Sequence, residues 1–313
     1  MTALVEVVRS GFVESVHHGS LVVTAPDGTV RAAVGDVAEP VYPRSSNKPL
    51  QALGMLQAGL DVADDDLALV CASHNGEPEH VERALTLLEK AGLDEDALHC
   101  PPDTPRGKPA AERRRAAMNC SGKHAGMLST CVTAGWPTAT YTDPQHPLQS
   151  TIAETVSEVT GEPIAWTGVD GCGAPLLAYS LTGLARAFGR LVTAESGDRR
   201  RVAGAMRAYP WLVAGTGRED TVLMDAVPGL LMKGGAEGVH AFTLADGTAV
   251  ALKIADGNAR AREPILVEAL RLLGETPTGE AVDRMAVGAG VVTGADRDVG
   301  SLRVTAALAD ALR

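Results

Sequence analysis

Aromatic side chains are scarce. The 313 residues include three Phe, three Trp and four Tyr, too few for a platform on which nucleic-acid bases could stack. Positive charge is also short: 28 Lys and Arg stand against 39 Asp and Glu, a formal net charge of -11. The basic footprint that a general nucleic-acid binder needs is therefore missing. No apolar run reaches the roughly 18 residues of a membrane-spanning helix. The start, Met1-Thr2-Ala3-Leu4-Val5-Glu6, has no basic stretch followed by an apolar one, so no signal peptide is read and a cytoplasmic protein is expected. Repeats, heptads and low-complexity linkers are absent as well. Cysteines number five, Cys71, Cys100, Cys120, Cys131 and Cys172. An odd count scattered over a long chain excludes the disulfide framework of a small secreted domain.

What remains is ordinary for a globular chain: 45% hydrophobic and 21% charged residues, enough to bury a full core without staples. One domain over residues 1–313 is expected, with room for two closely packed lobes. Within the basic residues there is a bias. Only six are Lys: Lys48, Lys90, Lys108, Lys123, Lys233 and Lys253. The composition uses Arg wherever a surface cation will do. Arg keeps its proton in a protein, whereas a desolvated Lys can lose it. Three lysines lie beside small or nucleophilic residues: Lys48 after Ser45-Ser46-Asn47, Lys123 after Cys120-Ser121-Gly122, and Lys233 before Gly234-Gly235. These are candidates for proton chemistry.

The pattern of elements is mixed. Leu21–Thr24 and Val30–Val34 read as strands around the turn signal Pro26-Asp27-Gly28. A helix begins between Ser45 and Pro49. Leu67–Ala72 is a short apolar run, strand or buried helix. Glu79–Ala91 is an amphipathic helix closed by Gly92, and 101–115 is a Pro- and Arg-rich loop. Helices are expected after Gly122, after Pro147, over Leu176–Phe188, Arg200–Arg207 and Glu263–Leu273. A late hairpin joins Ala241–Leu244 to Ala249–Ile254 across Asp246-Gly247. The order predicts an α+β fold, an antiparallel sheet flanked by helices.

Ser45-x-x-Lys48 sets a hydroxyl and an amine one helical turn apart, where a Lys can take the proton of an attacking Ser. Ser73-His74-Asn75 follows as Ser-x-Asn, and Lys233-Gly234-Gly235 is close to Lys-Thr-Gly. In that order these are the signature set of class A β-lactamases and penicillin-binding proteins. Each also has a plain structural reading: an N-cap Ser before a surface Lys, a loop Ser, a Lys before a Gly turn. Between them, Cys120 and Cys172 sit in Gly-containing turns. Thiolate binds zinc well, with His or Asp completing the shell; the alternative is two unrelated buried thiols.

A larger set of motifs appears in order: Pro43-Arg44-Ser45-Ser46-Asn47-Lys48-Pro49, Cys71-Ala72-Ser73-His74, Asn119-Cys120-Ser121-Gly122-Lys123-His124, Asp143-Pro144-x-His146-Pro147, Asp170-Gly171-Cys172, Val213-Ala214-Gly215 with Arg218, and Lys233-x-Gly235-Ala236. Together they resemble the Rhizobium etli-type L-asparaginases, often labelled asparaginase II. The resemblance runs from about residue 8 to 260 and is most specific at Asn119–His124. It implies a fold similar to the serine β-lactamases and serine glutaminases, and a homodimer. It also implies two Ser-Lys pairs, Ser45 with Lys48 and Ser73 with Lys233. One zinc per chain would sit on Cys120, Lys123 and Cys172. Asp170 is implied beside the zinc water and substrate; Arg44 and His74 are read as further substrate contacts. The His74-Asn75-Gly76-Glu77 stretch and the 101–115 loop depart from the family pattern.

The expected activity is hydrolysis of L-asparagine to L-aspartate and ammonia through an acyl-enzyme on Ser45. A glutaminase or a β-lactam hydrolase on the same fold, and a non-catalytic zinc or redox protein using Cys120 and Cys172, are the alternatives.

Overall fold

The computed structural model describes residues 2–312. The chain opens with β1 (Thr2–Arg9), β2 (Phe12–Thr24), β3 (Val30–Val34) and β4 (Pro40–Val41). A helical stretch follows: α1 (Lys48–Gln57), α2 (Asp64–Val70), α3 (Pro78–Lys90), α4 (Ser121–Ala134) and α5 (Pro147–Thr160). Then come β5 (Trp166–Val169), β6 (Pro175–Ser180), α6 (Leu181–Val192), α7 (Gly197–Ala208), α8 (Pro210–Ala214) and α9 (Glu219–Ala226). The last part holds β7 (Leu231–Gly234), β8 (Val239–Thr243), β9 (Ala249–Ile254), α10 (Arg262–Leu272) and α11 (Glu280–Val287). It closes with β10 (Thr293–Gly294), β11 (Arg297–Asp298), β12 (Gly300–Val304) and α12 (Ala306–Leu312).

The main sheet is antiparallel with the order β12-β1-β2-β9-β8-β7, and β3 also pairs with β2. The long β2 serves two sets of partners. Its first part carries β1, and its last residues carry β3 and β9. The sheet therefore joins both ends of the chain, with Val5 opposite Val304 and Leu21 opposite Leu252. Helix α6 lies across β2, β8 and β9, while α10 and α12 cover the β1 and β12 side. Helices α1 to α5 and α7 pack largely on one another. The buried apolar side chains form one cluster that runs from Leu4 to Leu308. The expected antiparallel sheet flanked by helices is what the chain forms. No helix among the described residues is long and apolar enough to cross a membrane.

Two local expectations need correction or resolution. Leu176–Phe188 is not one helix. Its first part is β6, buried at all six positions, and α6 begins at Leu181 with the Ser180 hydroxyl accepting the Gly183 N–H. A strand buried on both faces shows no alternation, so its sequence reads like a buried helix. The ambiguous Leu67–Ala72 run resolves into α2, which starts on three acidic residues, Asp64, Asp65 and Asp66. Carboxylates suit a helix N-terminus.

Helix α4 approaches α2 closely enough to explain one motif residue. A Cβ on Gly122 would lie 2.5 Å from the Leu69 carbonyl oxygen. Only glycine fits there, and it lets the first turn of α4 pack against the last turn of α2.

Candidate active site

The site starts where the sheet edge meets α1. Residues Arg44–Asn47 form a single 3-10 turn that runs into α1, with Pro49 in the first turn of the helix. Arg44 holds a left-handed φ of 52°, unusual for a side chain without a local hydrogen-bonding handle. Its guanidinium is anchored by Asp170, with Nε donating to Oδ1 at 2.8 Å. The edge strand β7 lies against this turn. The Ser46 hydroxyl donates to the Lys233 carbonyl at 2.9 Å. A Cβ on Gly235 would come within 2.4 Å of the Pro43 carbonyl oxygen, so glycine is required for the contact. This docking brings Lys233 to the start of α1, across 187 residues of chain.

The three lysines singled out by composition are the ones the fold encloses: Lys48 and Lys123 are 1% exposed and Lys233 is 0%. Burial of a lysine is costly without compensation, and each finds partners. Lys48 Nζ donates to the Ala72 carbonyl at 2.5 Å, to the Ser73 hydroxyl at 2.9 Å and to the Asn119 carbonyl at 3.5 Å. Lys233 Nζ donates to the Gly234 carbonyl at 2.7 Å and lies 3.5 Å from Asp220 Oδ2. The structure thus joins Ser73 to Lys48, not to Lys233 as the family resemblance implied. The cause is the segment just after α2, whose Ala72 carbonyl and Ser73 hydroxyl both accept from Lys48 Nζ. The half-buried Ser45 makes no side-chain hydrogen bond among the described residues.

Burial pushes the Lys233 proton affinity down, and the cations Lys48 and Arg218 add to this. Asp220 opposes them, and the outcome is about 8. Asp220 itself is buried, which alone would favour its neutral form. Lys233, His240 and Arg218 outweigh that and hold its carboxyl well below the usual range. Asp220 and His240 carry no sequence signal: they come from α9 and β8, and no spacing rule links them to Lys233.

His74 has a different fate from the one expected. Its Nδ1 accepts the Gly76 N–H at 3.0 Å, which leaves the proton on Nε2, 3.0 Å from the Ser121 hydroxyl. That hydroxyl donates onward to the Ala116 carbonyl. Burial, followed by the influence of His80 and Lys48, keeps the ring neutral by pushing its proton affinity well below normal. Both nitrogens are spent within the protein. Asn75 is likewise turned to the loop, donating to Glu77 and to the Thr216 carbonyl.

Across the start of α4, the thiols converge. Lys123 Nζ donates to Cys172 Sγ at 3.1 Å. The Cys172 thiol is held far below its ordinary value, first by a hydrogen bond from Cys120 and then, against its burial, by Lys123 and His124. Asp170 Oδ2 lies 4.0 Å from the same sulfur. His124 Nδ1 meets the Tyr141 hydroxyl at 2.7 Å, while its buried Nε2 has no hydrogen-bond partner. No cluster of three His, Cys, Asp or Glu with metal-site geometry occurs among the described residues. The third group at the thiols is the Lys123 amine. Two thiols and an amine therefore meet at one buried point, beside an orphaned imidazole nitrogen, a donor set that suits a borderline-soft ion such as zinc.

The turn that carries Ser45 thus lies against Lys233, and the buried Lys48 that follows it holds the Ser73 hydroxyl. The chain belongs to the L-asparaginase II family, whose profile matches residues 5–304. It is accordingly an amidohydrolase. Among solved structures it is similar to a β-lactamase (Mb2281c) from Mycobacterium bovis, at 16% identity over 80% of this chain and 94% of that one, with a TM-score of 0.45. Mglu in its native form matches at 12% identity over 78% of this chain and 62% of that one, TM-score 0.45. EstCE1, a hydrolase with promiscuous acyltransferase activity, matches at 14% identity over 78% and 91%, TM-score 0.41. No curated protein matches.

Proposed function

We propose that the protein hydrolyses the side-chain amide of L-asparagine to L-aspartate and ammonia, with Ser45 as nucleophile. What supports this is the contact of Lys48 with the Ser73 hydroxyl and the docking of Lys233 against the turn that carries Ser45, in a chain of this family. Ser45 Oγ bonds to the amide carbon as Lys48 takes its proton. The C–N bond then breaks, and the nitrogen leaves as ammonia with a proton supplied from the Ser73 and Lys233 side. Water next adds to the ester carbon, the bond to Ser45 breaks, and the serine regains its proton. The Arg44–Asp170 pair, 2.8 Å apart, sets a cation and an anion beside the nucleophile, which suits the charged α-carboxylate and α-ammonium of an amino acid.

One observation favours a second reading. Lys48 is already hydrogen-bonded to the Ser73 hydroxyl, so Ser73 could be the acylated residue. Trapping the acyl-enzyme and locating it by peptide mass spectrometry separates the two. Ammonia release from asparagine and from glutamine tests the activity: faster release from asparagine is expected, and preference for glutamine, or none from either, overturns the substrate.

Cys120, Lys123 and Cys172 would hold one zinc ion in this reading, and His74 loses its substrate role. Bound there, the metal would supply fixed positive charge for orienting substrate. A homodimer belongs to the same proposal, tested by sedimentation of the full chain. All five cysteines are free, which suits a reducing, cytoplasmic compartment.

A further inference from the structure

Asp220 sits off the open edge of the main sheet, where β7 has no further strand. Its Oδ2 accepts the edge N–H of Gly234 at 3.1 Å and lies 3.5 Å from Lys233 Nζ. Its Oδ1 lies 2.8 Å from His240 Nε2, close enough for an ion pair but without the alignment of a hydrogen bond. All three side chains are fully buried. Gly234 and His240 are cross-strand partners, and Lys233 precedes Gly234. By strand alternation, one carboxylate therefore serves groups on both faces of the edge. A buried carboxylate needs such partners, since an unpaired one would be neutralised or would unfold the site.

We propose that Asp220 is a positioning residue for Lys233, fixing its ammonium against the Gly234 carbonyl and governing how readily it exchanges a proton, with His240 lying against the far carboxylate oxygen. This rests on the reading of Lys233 as the proton-exchanging lysine of the amide-hydrolysing site.

Other charged and titratable groups also face this corner. Lys48 comes from α1 and Cys71 from the end of α2. Arg218 and Glu219 lie at the start of α9, and Arg262 comes from α10. They divide into two sets. Glu219 is taken up by Arg262 at 2.7 Å and by Arg218 at 3.4 Å. Cys71 is held as a neutral thiol, its burial pushing it up to about 12. Lys48 and Arg218 both push the Lys233 proton off, and burial does so more strongly. The nearest anion retaining the proton on Lys233 is therefore Asp220. Removing only its charge should make Lys233 a weaker base. Removing a mere packing contact would do the reverse, because water entering the site restores ordinary lysine behaviour.

The sign of the change is the test. Full-length protein is labelled with ¹³C at lysine Cε, giving six lysine signals, and the Lys233 signal is identified by its loss in Lys233→Arg. The signal is titrated in the unaltered protein and in Asp220→Asn. The expected result is a midpoint lower by about one pH unit or more in Asp220→Asn, a tenfold or greater change in proton affinity. The pH limb of asparagine hydrolysis that follows Lys233 should move the same way. A midpoint that stays put or rises toward the value of about 10.4 of a solvated lysine overturns the assignment, whether or not asparagine is hydrolysed. A midpoint that falls while neither asparagine nor glutamine yields ammonia supports the Asp220–Lys233 coupling and overturns the reading of the site instead. If Asp220→Asn does not fold, the reciprocal experiment uses Lys233→Met with ¹³C at aspartate Cγ. There, one aspartate signal must titrate about one pH unit or more higher than in the unaltered protein; no such movement overturns the proposal.

Discussion

Lys123 and Lys233 are both enclosed, yet their surroundings act on them in opposite directions. Burial works against the charge on each. In Lys233 it wins, and the proton affinity falls to about 8. In Lys123 it loses to the Cys172 and Cys120 sulfurs, with Asp170 behind them, and the charge is held more firmly than in water. Distance does not decide the matter. The nearest anion is 3.1 Å away in one case and 3.5 Å in the other, each worth about 5 kcal/mol at an effective dielectric of roughly 20. The difference lies in the charges round each: Lys123 has the Cys172 and Cys120 sulfurs and Asp170 on its side, while Lys233 faces the cations Lys48 and Arg218. Asp220 is shared with His240 and Arg218, and Lys48 adds a competing cation. One fold thus builds a labile ammonium and a firmly held one from the same side chain, and zinc binding at Cys120 and Cys172 would have to displace the Lys123 proton.

The largest expected effect lies on the labile side. Ser45→Ala should lower ammonia release at least about 10³-fold, with a melting temperature close to that of the unaltered protein, because little volume is removed. A folded variant with near-normal turnover would remove Ser45 from the mechanism. Lys233→Arg comes next, with a loss of roughly 10²-fold, since an arginine cannot give up a proton. A variant that keeps substantial activity and an unchanged pH profile would show that fixed charge suffices, and the contrast between the two lysines would lose its functional meaning.

The firm side is probed by its sulfurs. Cys120→Ser and Cys172→Ser should each lower the zinc content from about one per chain, and activity by roughly 10- to 100-fold. Elemental analysis of protein prepared without chelator reads this directly, and unaltered protein free of metal would end the zinc proposal. The smallest effect is on stability. The folded state lowers the affinity of Lys233 for its proton, so the fold is penalised while the lysine is charged. The penalty is full below about pH 8 and fades as pH rises toward about 10.4, a change of about 3 kcal/mol. Between pH 8 and 10, the melting temperature should therefore rise relative to Lys233→Met by several degrees. Parallel melting curves across that window would contradict a depressed Lys233.

Much of this centre was legible beforehand because it sits at punctuated places. Ser45 and Lys48 stand at a helix start marked by Pro49. Cys120 and Lys123 open α4. The β8–β9 hairpin announces itself through Asp246-Gly247. The scarcity of lysine, together with small or nucleophilic neighbours in the sequence, pointed to the three lysines that the fold encloses. What stayed hidden lacked a local signal. β7 is four fully buried residues, too short for any periodicity. β6 hid behind the same continuous burial. β1 alternates too weakly to read, and its partner β12 arrives only at the other end of the chain. The Ser73–Lys48 bond and the Asp220–Lys233–His240 cluster depend on how α2 and α9 dock, which no spacing along the chain encodes. His74 was a reasonable candidate until its two nitrogens were seen to be occupied.

The docking of β7 onto the Arg44–Asn47 turn also has a meaning in time. Lys48 and Ser73 leave the ribosome early, with helices α1 and α2 whose main partners, α5 and α7, follow about a hundred residues or more later. Lys233 follows much later. Its strand is the outer member of a sheet whose inner partners β8 and β9 are made later still, and whose β1 waits for β12 near the end of synthesis. Contacts so distant in sequence close slowly. The nascent chain therefore carries its helices long before it carries a complete site, and no hydrolysis can begin until the last third of the polypeptide has been folded against the first.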